Sequence, residues 1–333
     1  LTTSLLGLRR DGNGRDMNRM SVDAGWERRL ISDLGLVLDV EGSVRADAYN
    51  IRDRNKGQLL AGQDTDSTET RIFPQLHVQA GYPLVKALES GQVVVEPKVS
   101  MTAAPNIGVN DDIPNEDSQD VQIDSSNLFE PNRFPGLDRV EDQSRMTYGV
   151  KSGVYGYDGS HFDVFAGQSV RLDEGDNPFP RGSGLDNRSS DYVGEISAGY
   201  KDLNYLNYRF QLNADDFYSQ RHELYSQVNY GRFRLGTQYL YASALEETDI
   251  SESREQIWAG LGVYFNEDWR GRIGATQDLG QAPGLRHAYV GLDYFGQCLN
   301  WSFDAERSLT DDASGDSELE FTFRIGLKNL GEY

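Results

Sequence analysis

Cysteine is nearly absent, with Cys298 alone in 333 residues. An internal disulfide framework is thereby excluded, although a bond to something outside the chain is not. No window approaches the ~20 consecutive apolar residues of a membrane helix. The hydrophobic fraction is only 38% and the mean hydropathy −0.61. Proline is scarce, 10 residues against 35 Gly, 18 Tyr and 14 Phe, so the composition is one of small and aromatic residues. Basic residues are outnumbered 32 to 53, leaving a net charge of −21, which weighs against nucleic acid as a partner. Catalytic signatures are missing too: there is no GxSxG, HExxH or P-loop. His77, His161, His222 and His287 lie in separate segments without metal-ligand spacing, and Gly182-Ser183-Gly184 reads as a loop glycine pair. No cofactor is called for.

What the chain does have is a rhythm. About sixteen stretches alternate apolar with polar residues, the signature of strands whose two faces differ. In one, Leu319, Phe321, Phe323, Ile325 and Leu327 point one way and Glu318, Glu320, Thr322, Arg324 and Lys328 the other. In another, Leu38, Val40, Val44, Ala46 and Ala48 oppose Asp39, Glu41, Ser43, Arg45 and Asp47, and in a third Ile257, Ala259, Leu261 and Val263 oppose Gln256, Gly260 and Gly262. The joints between stretches are by turns short (32–35, 88–91, 157–160, 201–204, 230–232, 266–268 and 296–299) and longer (11–18, 53–69, 107–143, 173–189, 214–220, 246–253, 280–284 and 310–316).

Tight turns at one end and loops at the other predict an antiparallel up-and-down sheet, and many stretches reach the length that crosses hydrocarbon at a tilt. The fold class is therefore all-β, a transmembrane β-barrel of the outer-membrane type with about sixteen strands; a soluble all-β protein is the alternative on composition alone. Much of the negative charge falls in the long joints, at Asp111, Asp112, Glu116, Asp117, Asp120 and Asp124 and at Glu246, Glu247, Asp249 and Glu252, and reads as a solvated surface. No charged and then apolar segment opens the chain, so a secretory signal is expected to have been removed or to lie upstream. Either these strands close on themselves or they are the C-terminal piece of a larger barrel.

The joint 107–143 is too long for a hairpin and too dense in motifs for disorder. Leu128, Phe129, Phe134 and Leu137 are its apolar anchors. Arg133, Asp138, Arg139 and Glu141 are expected to form an ion-pair lattice against the polar wall, a surface cap over the mouth being the alternative.

Several irregular motifs occur in order: Ile113-Pro114-Asn115-Glu116-Asp117-Ser118, Asp124-Ser125-Ser126-Asn127-Leu128-Phe129, Asn132-Arg133-Phe134-Pro135-Gly136-Leu137-Asp138-Arg139-Val140-Glu141, and Asn177-Pro178-Phe179-Pro180-Arg181-Gly182-Ser183-Gly184-Leu185. With Gly167-Gln168-Ser169 and Ser190-Asp191-Tyr192-Val193-Gly194, they resemble the LPS-assembly protein family LptD over essentially the whole chain. The resemblance implies a non-enzymatic lipopolysaccharide translocon in the cell outer membrane, with a lateral opening in a barrel of about 26 strands. Residues 1–333 would be the C-terminal part of that barrel, the periplasmic jelly-roll and first strands lying outside this chain. Its implied partners are an LptE-like lipoprotein plug, a periplasmic lipopolysaccharide bridge reached through the N-terminal domain, lipopolysaccharide and the outer membrane.

The resemblance also points to residues. Asn127, Phe129, Arg133, Phe134, Gly136, Asp138, Arg139 and Glu141 become candidates for a loop inside the lumen, and Leu319, Phe321, Phe323, Ile325 and Leu327 for the last strand, at the lateral gate. Many relatives carry an adjacent cysteine pair near the C-terminus that is bonded to the N-terminal part. Cys298 stands alone here, and is expected to bond to a cysteine upstream of this chain. A sixteen-stranded diffusion porin, and after it a barrel hydrolase, remain as alternatives.

Overall fold

The computed structural model describes the chain apart from 12–14, 54–65, 109–112, 119–120, 176, 202, 247, 249, 251, 282, 310–316, 328–330 and 333. Among the acidic positions, Asp111, Asp112, Asp120, Glu247 and Asp249 lie outside the described residues, as does Lys328. No helix occurs among the described residues, and the strands follow one another in the order β1 (Thr2–Leu8), β2 (Arg15–Ile31), β3 (Val37–Asp53), β4 (Asp66–Gly81), β5 (Leu84–Ala87), β6 (Gly91–Ala103), β7 (Arg145–Gly156), β8 (His161–Arg171), β9 (Tyr192–Tyr200), β10 (Asn204–Leu212), β11 (Ser219–Tyr230), β12 (Phe233–Ala242), β13 (Arg254–Tyr264), β14 (Trp269–Asp278), β15 (Gly284–Phe295), β16 (Leu299–Leu309), β17 (Ser317–Leu327) and β18 (Gly331–Glu332). Sixteen of them run seven residues or more, and β5 and β18 are short.

The chain forms two compact units: Leu1–Leu84 with Val95–Lys151 and Ala166–Tyr192, and Val85–Val94 with Ser152–Phe165 and Val193–Tyr333. In the first, β1 pairs with β2, β2 with β3, β3 with β4 and β4 with β6, all antiparallel. In the second, β9 to β18 pair in sequence order, antiparallel throughout from β10 onward. This is an up-and-down sheet. Its tight joints are made where the backbone can turn left-handed, at Gly35 (φ 86°) and Gly231 (φ 55°). Between β13 and β14 the Asn266 side chain does the work instead, accepting from the N–H groups of Asp268 and Trp269 at 3.0 and 2.9 Å.

Burial is inverted relative to a water-soluble sheet. On β3 the apolar row Val44, Ala46 and Ala48 is exposed, whereas Arg45 and Asp47 are buried. β4 exposes Ile72 and Leu76 and buries Phe73 and His77; β6 exposes Val99 and Met101 and buries Ser100 and Thr102. In the second unit Ile273 is 59% and Val290 55% exposed, while Asp293 and Asp304 are buried on the opposite face. Exposed apolar rows of this extent need an apolar solvent, and a polar face that carries buried charge needs internal partners. Aromatic rings mark the tight-turn edge of the apolar face: Trp269 lies 5.0 Å from Tyr294 and 5.4 Å from Trp301, centroid to centroid, and Tyr200, Tyr230, Phe233 and Phe265 stand exposed beside their turns. No helix of the described residues is long and apolar enough to cross a membrane.

Simple alternation fails at the loop ends of β2 and β3. There the polar face turns apolar, and Met17, Tyr49 and Ile51 form a buried cluster with Leu6, Leu8 and Ile113 packed against it. Ile113 belongs to the connection 104–144, so the apolar patch is where that connection lands.

Candidate functional site

The connection 104–144 folds over the polar face of β2, β3 and β4. Its grip begins with a reciprocal clasp. The Asp117 carboxylate accepts from the N–H groups of Leu137 and Asp138, each at 3.0 Å, and the Asp138 carboxylate accepts from those of Glu116 and Asp117, at 2.8 and 3.1 Å. Arg19 of β2 closes the clasp, 2.5 Å from Asp138 and 2.7 Å from Asp117. The Arg19 side chain is 4% and that of Asp138 0% exposed, so these charges depend on one another. Gly136 makes the turn at φ 80°, and a Cβ there would sit 2.4 Å from the Asp117 carbonyl oxygen, which leaves glycine the only residue that fits.

Two further wall arginines hold the same corner. Arg71 of β4 donates to the Leu137 carbonyl at 2.6 Å and to the Asp138 carbonyl at 2.7 Å, while its Nε is held by Asp47, directly opposite on β3, at 2.8 Å. Arg45 reaches the Leu137 carbonyl at 3.2 Å. Positive charge from three adjacent strands thus converges on one turn.

A second cluster secures the middle of the connection. Arg133 donates to Glu141 at 2.9 Å, to the Leu128 carbonyl at 3.1 Å and to Ser169 of β8 at 2.9 Å. Arg145 pairs with Glu141 at 3.2 Å and donates to the carbonyls of Glu130 and Pro131. Burial pulls the Arg133 guanidinium down from its ordinary range, and Glu141 opposes that pull. Phe134 stacks on Phe179 of the connection 172–191 with centroids 4.6 Å apart, and the Arg139 guanidinium lies 6.0 Å from the Phe134 ring centre. Ile123, Leu128, Val140 and Leu185 are buried around them.

Asn127 ties its own turn, accepting from the Asp124 N–H at 2.9 Å and donating to the Gln122 carbonyl at 2.9 Å. Phe129 is half-buried and lines a cavity of about 530 Å³ with Glu27, Asp39, Glu41 and His77; the buried anchor is its neighbour Leu128. Cys298 is exposed in the turn between β15 and β16. Leu319, Phe321, Phe323, Ile325 and Leu327 are all exposed on one row of β17, which pairs along its length with β16 and only at Gly326 and Leu327 with β18. Ser183 is buried and accepts from the Leu185 N–H. The histidines have separate partners, Thr102 for His77 and Tyr208 and Ser219 for His222.

In the second unit the polar face carries a charge ladder. Arg272 holds Asp293 with two bonds, at 2.8 and 2.9 Å, and Asp304 at 2.8 Å, and Arg270 joins Asp293 at 2.7 Å. A cavity of about 1070 Å³ borders it, lined among others by Arg209, Arg234, Trp258 and Tyr289. Trp258 lies over Gly236 and Gly260, where an added Cβ would come within 2.9 and 2.7 Å of its ring.

Reading the sequence singled out neither Arg19 nor Arg71. The available signal is an arginine at the loop end of the polar row in adjacent strands, with an acidic and glycine-containing turn elsewhere to receive it.

The family model described as LPS transport system D (LptD) matches residues 7–269. The LPS-assembly protein LptD of Aeromonas salmonicida is 24% identical over 292 residues, covering 79% of this chain and 34% of that protein. The LPS-assembly protein LptD of Vibrio cholerae serotype O1 is 23% identical over 317 residues, covering 81% and 39%. The chain therefore spans between a third and two-fifths of the length of these relatives. Among solved structures, a Rh. blastica porin mutant aligns over all of both chains at 11% identity and a TM-score of 0.36, a likeness too low to carry an argument.

Proposed function

The chain belongs to the LptD family, and from that premise we propose that the protein it is part of assembles lipopolysaccharide into the outer leaflet of the outer membrane, without catalysis and without a cofactor. Residues 1–333 form the C-terminal part of its barrel. The apolar rows face hydrocarbon, the tight turns face the periplasm and the long connections face outside. A periplasmic bridge delivers the lipid through an N-terminal domain, an LptE-like lipoprotein plugs the lumen, and β17 is the last strand, at the lateral gate. Cys298, at the tight-turn edge, bonds to a cysteine upstream in an oxidising compartment.

The observation that carries this reading is the connection 104–144, bonded through buried arginines to the polar face of β2–β4. A connection bonded in this way stays fixed over the polar face, as a translocon that must stay sealed to solutes requires. The test is depletion of the full-length protein, complemented with the wild type or with Arg19→Ala. Depletion should stop newly made lipopolysaccharide from reaching the cell surface. Arg19→Ala should restore delivery in part and leave cells sensitive to large antibiotics, because a buried carboxylate loses its partner, at a cost of about 3–5 kcal/mol. Unchanged lipopolysaccharide delivery after depletion would refute the proposal, and stable open-pore conductance of the purified wild type would favour the porin.

A further inference from the structure

The apolar face of β12–β17 is not uniform. Two hollows of about 550 and 430 Å³ lie on it, the first on the loop side and the second on the turn side of the cross-strand row Leu261, Ile273 and Val290, which borders both. The first hollow has a floor of small residues because the register sets Ala259 opposite Ala275 and Ala275 opposite Ala288. The next residue in that cross-strand row is Arg307, opposite Ala288 on one side and Leu319 on the other. Paired residues share a face, and Arg307 accordingly lines the first hollow beside Leu319 and Val290.

A guanidinium on this row is out of character. Arg307 is exposed, and it has no ion-pair partner among the described residues. It stands two residues before the end of β16, roughly 7 Å inside the loop edge. A cation on a lipid-facing row is penalised least near the interface, and there it can draw an anion from the membrane itself. Zwitterionic lipids carry an ammonium group that competes for their own phosphate. A phosphate monoester beside acyl chains has no such internal partner and complements Arg307 in charge.

We propose that the first hollow docks the lipid A part of lipopolysaccharide from the surrounding leaflet, with an acyl chain over Ala259, Ala275 and Ala288 against the row Leu261, Ile273 and Val290, and a phosphate monoester on Arg307. This rests on the membrane orientation proposed above and adds a lipid site on the outside of the wall. The test uses the full-length protein in nanodiscs of phosphatidylethanolamine with or without lipid A, carrying a photo-crosslinking residue at Ala288 or, as a control on the same face, at Phe323. Wild type should crosslink lipid A at Ala288 well above its share of the bilayer, Arg307→Gln should lower that yield at least fivefold, and Arg307→Lys should keep most of it. Equal yields with Arg307→Gln, or crosslinking in simple proportion to bilayer composition, would overturn the site. Failure of both positions to crosslink any lipid would overturn the wall orientation, and the site with it.

Discussion

The Asp117 carboxylate shows how much one side chain can do in a connection rich in acids. Burial pushes it up, but the Leu137 N–H, the Arg19 guanidinium and the Asp138 N–H outweigh that and hold it at about 2, below the ordinary 3.8. A carboxylate depressed on folding stabilises the fold fully above its unfolded value, and that contribution is lost as pH falls through the folded one. Hydrogen exchange at the amides of Leu137 and Asp138, which donate to Asp117, should therefore accelerate as pH falls from about 3.8 toward about 2, after correction for intrinsic rates, and in Asp117→Asn the step should disappear. Asp142 works in the opposite sense: burial raises its carboxyl against the N–H groups of Gly108 and Ile107, so acid relieves it and cannot produce the same loss. In the sequence Asp117 is one of several acids in a stretch that reads as solvated. Its role was not legible because Arg19, the cation that claims it, lies far away in the chain. Arg133 and Glu141 are only eight residues apart, and their pairing was open to a local reading.

Strands and turns were the most legible elements, since a period of two and a glycine or asparagine at a joint are local properties. The short joints read from the sequence match the observed turns to within one residue at either end, and the apolar row read in β17 is exposed. Two features escaped. The short β5 begins at Leu84, directly after Pro83, and lies within what alternation alone leaves as one stretch before the joint 88–91. The apolar loop ends of β2 and β3 run against the two-face rule because they serve the connection above them. The faces themselves make an element-level prediction. Ile273→Arg, on the exposed apolar row of β14, should destabilise the folded protein in lipid by about 2–4 kcal/mol. Gln256→Arg, on the polar face of β13, should change stability by less than about 1 kcal/mol. Urea titration of the refolded full-length protein in bilayers compares the two, and equal costs would mean that the faces are not chemically distinct.

For the molecule as a whole, the family and the inverted sheet carry the account together. The order of irregular motifs was visible in the sequence, and the family match over residues 7–269 agrees with it. The three wall arginines that receive those motifs were not visible, because a polar row reads the same whether it meets water or a folded connection. The central claim is that one face of every long strand meets hydrocarbon and the other does not, and it is open to a direct measurement. Nitroxide labels placed singly at Val290, Phe303 and Ala305, and at Gln256, Ser302 and Glu306, can be read in bilayers for collisions with oxygen, which favours lipid, and with a water-soluble nickel chelate. The account predicts high oxygen and low nickel accessibility at the first three and the reverse at the second three; high nickel accessibility at all six would contradict it.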